Sequence, residues 1–416
     1  MRKERLFSIA RRAAILALVI SAAFLLLRTD YFSALRRKLP AESPARAGGA
    51  SVEGAAALRP RAVMVCYPDG SRAASACDGE ATEEAFLHFA ALLGEALGSA
   101  GAPQEISEAE FRALAEAGSV FVDLGVAIQL DLLTGWLGAG VFSESDMSAD
   151  VLYLSLTDED LFLCFRGADG GFYRCDTVAQ TGTLRARMDD LPPSGDAAFA
   201  YENARLEGVE PYMVVLEEMP DVSALSAVSA RDEAAPETLL EAVGMNFFVA
   251  SYYDEADGTA VYVEEEKTLR FSPDGVLSYR DGGVSESLSR AENVSDAVYR
   301  AFLLARDSAG AYCGDADLMF AGAEKAEDGT YTVYFDYCVN GMPVRLAEGH
   351  AAVVEVAHGT LLRAVVHLRR YTVSERMETV LPMYRAAAIA AAGGGGSPAL
   401  IYTDTGTAVK CIWINE

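Results

Sequence analysis

The sequence predicts an α+β protein. A mixed α/β N-terminal ectodomain is followed by two related modules, each an antiparallel sheet with a helix on one face. All of it stands behind one N-terminal transmembrane helix. Three observations carry this prediction. The run "AAILALVISAAFLLL", residues 13–27, has no charge and follows a basic start. Amphipathic helical stretches alternate with short apolar strands from residue 61 onward. Asp-Gly-Thr opens a strand twice, at Asp257 and at Asp328, and each copy leads through a glycine turn to a helix.

The expected organisation is a basic tail and anchor over 1–35, a linker over 36–60 and an N-terminal ectodomain over 61–235. A middle module then covers 236–310 and a C-terminal module 311–416. Fifteen apolar residues fall short of the ~20 that span a bilayer. Leu6 to Ala10 extend the run if Arg11 and Arg12 snorkel. No small-x-small cleavage site directly follows Leu27, so the segment reads as an uncleaved anchor and not as a signal peptide. The basic start puts the N-terminus in the cytoplasm and the bulk of the chain outside, as a single-pass protein of the cell membrane. Ala13, Ala17 and Ser21 share one face of that helix and form the expected transmembrane partner face.

In the ectodomain, "RAVMVC" begins a strand and "TEEAFLHFAALLGEALGSAG" is a helix stopped by glycine. "ISEAEFRALAEAG" is a second helix. Ser107 and Glu110 are placed as its capping box, with Ile106 and Phe111 as the hydrophobic staple. "SVFVDLG" is a strand and "IQLDLLTGWLG" a helix. "VLYLSLTDEDLFLCFRGADGGFYRCD" reads as three strands joined by acidic turns. "SALSAVSARDEAAP" reads as a loop, and "GGGGSP" as a flexible joint before a final hairpin, "ALIYTDTGTAVKCIWIN".

Composition narrows the function. The chain has 416 residues, 51% hydrophobic, and a formal charge of −27. Residues 1–47 hold ten Lys+Arg and three Asp+Glu; the rest holds 24 and 58. So acidic an ectodomain repels nucleic acid, and none is expected as a partner. Hydrolase and phosphate-loop motifs are absent, so no catalytic residue and no cofactor are expected. Seven cysteines form no C-x-x-C. Their strand-like surroundings favour buried free thiols, and an extracellular site leaves room for one or two disulfides that spacing does not assign. Of four histidines, His88 lies in an apolar helical run. A two-residue turn at His358-Gly359 places His350 opposite His367. The face they share offers no third ligand, so no metal is expected.

"VNGMPV", residues 339–344, reads as a type I′ hairpin, because Asn340-Gly341 suits two positive φ values. Val339 then pairs with Met342, Cys338 with Pro343 and Asp336 with Arg345. Pro343 marks its strand as an edge at that residue.

"FAALLGEALGSAGAPQEISEAEFRALAEAGSVFVDLG", the Asp-Gly-Thr strand, "LRFSPDGVLSY" and "YFDYCVNGMPV" resemble, in that order, the YycH/YycI family of membrane-anchored accessory proteins of Gram-positive bacteria. The length resembles YycH-like members. The resemblance implies regulation: such proteins associate with a YycI-like partner and control a WalK/YycG-like sensor kinase through transmembrane helices and ectodomains. The last hairpin also resembles PepSY-like domains, without the proline that often precedes their tryptophan. That resemblance implies an alternative, a binding module that restrains a secreted hydrolase or holds a cell-wall ligand.

Overall fold

The computed structural model describes residues 57–415 except 143, 145, 158–159, 194–196 and 284–292. The apolar segment 13–27, with Ala13, Ala17 and Ser21, lies outside the described residues. No helix among the described residues is long and apolar enough to cross a membrane.

The N-terminal half builds a seven-stranded, wholly antiparallel sheet. In chain order its elements are β1 (Ala62–Cys66), β2 (Arg72–Ala76), α1 (Gly79–Ser99), β3 (Gln104–Ile106), α2 (Glu108–Glu116), β4 (Ser119–Gln129), α3 (Leu130–Trp136), β5 (Ser148–Leu156), β6 (Leu161–Gly167), β7 (Phe172–Asp176) and α4 (Thr181–Asp189). The spatial order is β2-β1-β4-β5-β6-β7-β3. Val63, Val65, Val120, Val122, Leu152 and Leu154 face the helix α1, whose Phe86, Phe89, Leu93 and Leu97 recur every three or four residues. Met64, Phe121, Tyr153 and Cys164 face the other way, onto Phe111 of α2. Both faces are covered, so β1 is buried at every position and its sequence is a continuous apolar run.

A short hairpin, β8 (Ala197–Phe199) and β9 (Val214–Leu216), follows on that second face, then β10 (Ser223–Ser229) and α5 (Pro236–Ala242). The rest of the chain forms β11 (Ser251–Asp254), β12 (Ala260–Glu264), β13 (Lys267–Phe271), β14 (Val276–Asp281), α6 (Val294–Asp307), β15 (Asp317–Lys325), β16 (Tyr331–Val339), β17 (Met342–Leu346), β18 (Ala352–Ala357), β19 (Thr360–His367), β20 (Arg369–Met377), α7 (Met383–Ala392), β21 (Pro398–Asp404) and β22 (Val409–Asn415). Apart from β20, the strands of both expected modules run together in one eleven-stranded sheet, joined where β14 pairs with β19. The helix α6, capped by Asn293, lays Ala297, Val298, Ala301 and Phe302 on one face of it. Trp136 of α3 meets Phe320 of β15 edge to face at 5.3 Å, so the two sheets share a core.

Several expectations change. "SALSAVS" is the strand β10, paired antiparallel with β20 about 145 residues away. Small, serine-rich residues give no alternation strong enough to reveal it, and a distant partner supplies the ladder. The capping box at α2 is one-sided. Ser107 Oγ accepts from Glu110 N at 3.2 Å, while the Glu110 carboxylate turns to Arg174 at 3.1 Å. "GGGGSP" is a docked segment. Gly396 N donates to Gly208 O at 3.0 Å, Glu210 N donates to Gly396 O at 2.8 Å, and a Cβ on Gly395 would sit 2.1 Å from Gly208 O. The glycines permit close backbone approach.

The Asn340-Gly341 hairpin has φ of 50° and 74°, and Val339 pairs with Met342 and Cys338 with Pro343, as a type I′ turn requires. Its tip presses on the start of α1: a Cβ on Gly341 would fall 2.6 Å from Gly79 Cα. The strand β17 is internal, however. It also pairs in parallel with β21, starting at Val344, and Pro343 stays just outside that ladder. The β16–β17 register ends at Tyr337 with Val344, so Asp336 is not paired with Arg345. Nor does His350 face His367. A bulge between Glu355 and Val356 of the β18–β19 ladder shifts the register by one, and His367 N donates to Ala351 O at 2.8 Å.

Candidate interaction surface

The least ordinary surface lies where the large sheet ends. The helix α5 buries Leu239 and Leu240 and closes at Gly244, whose φ is 69°. Met245 returns to the core. Asn246 N donates to Glu264 Oε2 at 2.6 Å. Asn246 Oδ1 accepts from Phe248 N at 3.0 Å, and Asn246 O accepts from Val249 N and Ala250 N. This turn is held from inside, so Phe247, Phe248 and Val249 are turned outward. Phe248 is 82% exposed and Val249 64%. Phe247 and Phe248 meet edge to face at 5.7 Å.

The chain then enters β11, exposed at every residue and, among the described residues, hydrogen-bonded to β12 alone. Tyr252 and Tyr253 are about half exposed. Tyr252 packs on Tyr262 across the ladder at 5.0 Å. Its hydroxyl donates to Asp254 Oδ1 at 2.5 Å, and that bond pushes the phenol's pKa up. Asp254 and the ion pair of Glu255 with Arg270 give the patch a polar rim. Clustered exposed aromatics at a strand with a free edge suit contact with another macromolecule. Hydration of so much apolar surface is otherwise uncompensated.

The patch was legible in part. "MNFFVASYYD" crowds five large apolar or aromatic residues into seven without the alternation of a half-buried strand. The histidines take separate places. His350 Nδ1 lies 2.9 Å from Asp336 Oδ1, which raises its pKa. Burial lowers that of His367. His88 lies against the carbonyl of Arg187 at 2.9 Å. Among the described residues no three His, Cys, Asp or Glu side chains gather as metal ligands would. All seven cysteines are free, six of them buried. Burial pushes the Cys66 thiol up to about 11 and that of Cys338 to about 12.

No protein-family model matches the sequence, and no characterised protein matches it at the sequence level. Among solved structures, the crystal structure of YycH from Bacillus subtilis matches 87% of this chain and 94% of its own, with a TM-score of 0.52. The chain has a YycH-like fold. Identity over that match is 11%, so the likeness is one of architecture. It takes in both sheets, because neither alone makes up 87% of the chain.

Proposed function

We propose that this protein is an extracytoplasmic, membrane-anchored regulator of a cell-wall two-component sensor histidine kinase of the WalK/YycG type. It acts by protein contacts, together with a YycI-like partner, and not by catalysis. The observation that carries this reading is the YycH-like fold over nearly the whole chain. The basic start, the apolar run 13–27 and the small-residue face of Ala13, Ala17 and Ser21 support contact through a transmembrane helix. The exposed aromatics at 247–253 support a second contact from the ectodomain.

Two alterations test the reading. Deleting residues 1–35 should abolish control of the kinase, whereas a secreted inhibitor of a hydrolase would keep its activity without them. Replacing Phe248 and Tyr253 together by Ser should weaken kinase control with the thermal midpoint unchanged, since both side chains are half exposed or more. Full kinase control by both altered proteins would sink the proposal.

A further inference from the structure

A cleft of about 980 Å³ lies between the β8–β9 hairpin of the N-terminal half and the start of α7. Leu216, Pro382 and Tyr384 give it an accessible apolar wall. Arg72 is spoken for. It forms an ion pair with Glu202, donates to Ala197 O at 3.2 Å and lies over the Phe199 ring at 5.5 Å. Arg205 and Arg385 also line the cleft, from segments 180 residues apart. Neither guanidinium has a hydrogen-bond or ion-pair partner among the described residues. By contrast Arg59, Arg166, Arg174, Arg270 and Arg369 each hold a carboxylate, while Arg231, Arg280 and Arg376 hold none among the described residues. Beyond residue 47 acids outnumber bases 58 to 24, so carboxylates for pairing are not scarce.

Arg385 is also badly placed for helix stability. It stands in the first turn of α7, where the positive end of the helix disfavours a cation, and no acidic residue shares that turn. A residue that breaks a local rule without compensation in the fold points to a role outside it. Glu217 is the one acid of the described lining.

We propose that this cleft binds a small organic anion. Its carboxylate or phosphate head is held by Arg205 and Arg385, and its apolar body lies against Leu216, Pro382 and Tyr384. The planar guanidinium fork fits either head. The volume suits a drug-sized ligand and not a bare ion. Because the walls come from both halves of the chain, an occupant bridges them.

The test is calorimetric titration of the full chain in lipid nanodiscs, with empty discs as blank. The probes are 1-naphthoate, 1-naphthyl phosphate and inorganic phosphate. The first two tell a carboxylate head from a phosphate head; the third tells whether the apolar body matters. Saturable binding of at least one naphthyl anion is expected, tighter than inorganic phosphate and weakened about tenfold or more in Arg205→Glu and in Arg385→Glu. Arg280→Glu, an equal charge change at a different cavity on the large sheet, should leave it unchanged. Three results overturn the proposal: no saturable binding of either naphthyl anion, equal affinity for inorganic phosphate, or equal weakening in Arg280→Glu. Should a Glu variant lose its thermal transition, Arg205→Gln and Arg385→Gln make the same comparison. Unchanged affinity in both would again refute it.

Discussion

Removing the carboxylate of Asp404 should be among the most damaging single changes in the large sheet. Asp404 is 2% exposed. It accepts from Arg369 Nε at 2.9 Å, Arg369 Nη2 at 3.0 Å, the Tyr371 hydroxyl at 3.0 Å and Gly406 N at 2.8 Å. Four donors from two chain segments thus meet one buried anion. In Asp404→Ala the guanidinium keeps one acceptor, Gly406 O at 3.3 Å, with its side chain only 13% exposed. Breaking a buried pair from one side costs about 3–5 kcal/mol, because the remaining charge stays desolvated. Replacing both partners with apolar residues, as in Arg369→Leu with Asp404→Leu, should cost far less. The assay is urea unfolding followed by tryptophan fluorescence. Trp413 sits on β22, paired with Leu400 of the strand that carries Asp404, and Trp136 sits on α3, so a Trp136→Phe background reports the large sheet alone. With a slope of about 1–3 kcal/mol per molar urea, the midpoint of Asp404→Ala should fall by about 1 M or more. A fall below about 0.3 M, or a double variant as unstable as the single one, would refute the reasoning.

The hairpin tip gives a backbone prediction: Gly341→Ala meets both a φ of 74° and the start of α1, and should lower stability by about 1–3 kcal/mol in thermal denaturation. The two half-buried histidines, His350 and His367, should give opposite pH dependence. The His350 pKa is raised by the hydrogen bond to Asp336, so its stabilisation is full below the unfolded pKa and is lost as pH rises through the folded one. Proton NMR should place it above 6.5 and show it fall in Asp336→Asn. The His367 pKa is lowered by burial, so the fold loses stability as pH falls through the unfolded value, and His367→Gln should blunt that loss in acid. Native protein should react slowly with a thiol-specific alkylating agent at pH 7.5, since burial keeps thiols such as Cys66 and Cys338 protonated. All seven cysteines should react in denaturant.

Much of the fold was legible because its signals are local. The helix α1, the three strands β5–β7 and the turn at Asn340-Gly341 each follow from periodicity or from one dipeptide's backbone preference. Distant partners hid the rest. β10 has no strand signal of its own and exists because β20 offers an edge. The glycines at 393–396 signal flexibility in isolation; only contact with Gly208 makes them a tight joint. One bulged residue moved His350 away from His367 and toward Asp336. The arginine cleft was invisible for the same reason, since Arg205 and Arg385 meet only through the docking of α7 on the N-terminal half. The aromatic run at 247–253 was readable as composition. Its exposure needed the turn at Asn246.

The central claim, regulation of a sensor kinase by contact, is tested most directly by crosslinking the full-length protein in its native membranes and identifying the captured proteins by mass spectrometry. The account predicts a sensor histidine kinase and a second single-pass protein, with crosslinks to the apolar segment 13–27 and to the surface around Phe248. Capture of a secreted hydrolase without a kinase, or of no membrane partner at all, would contradict it.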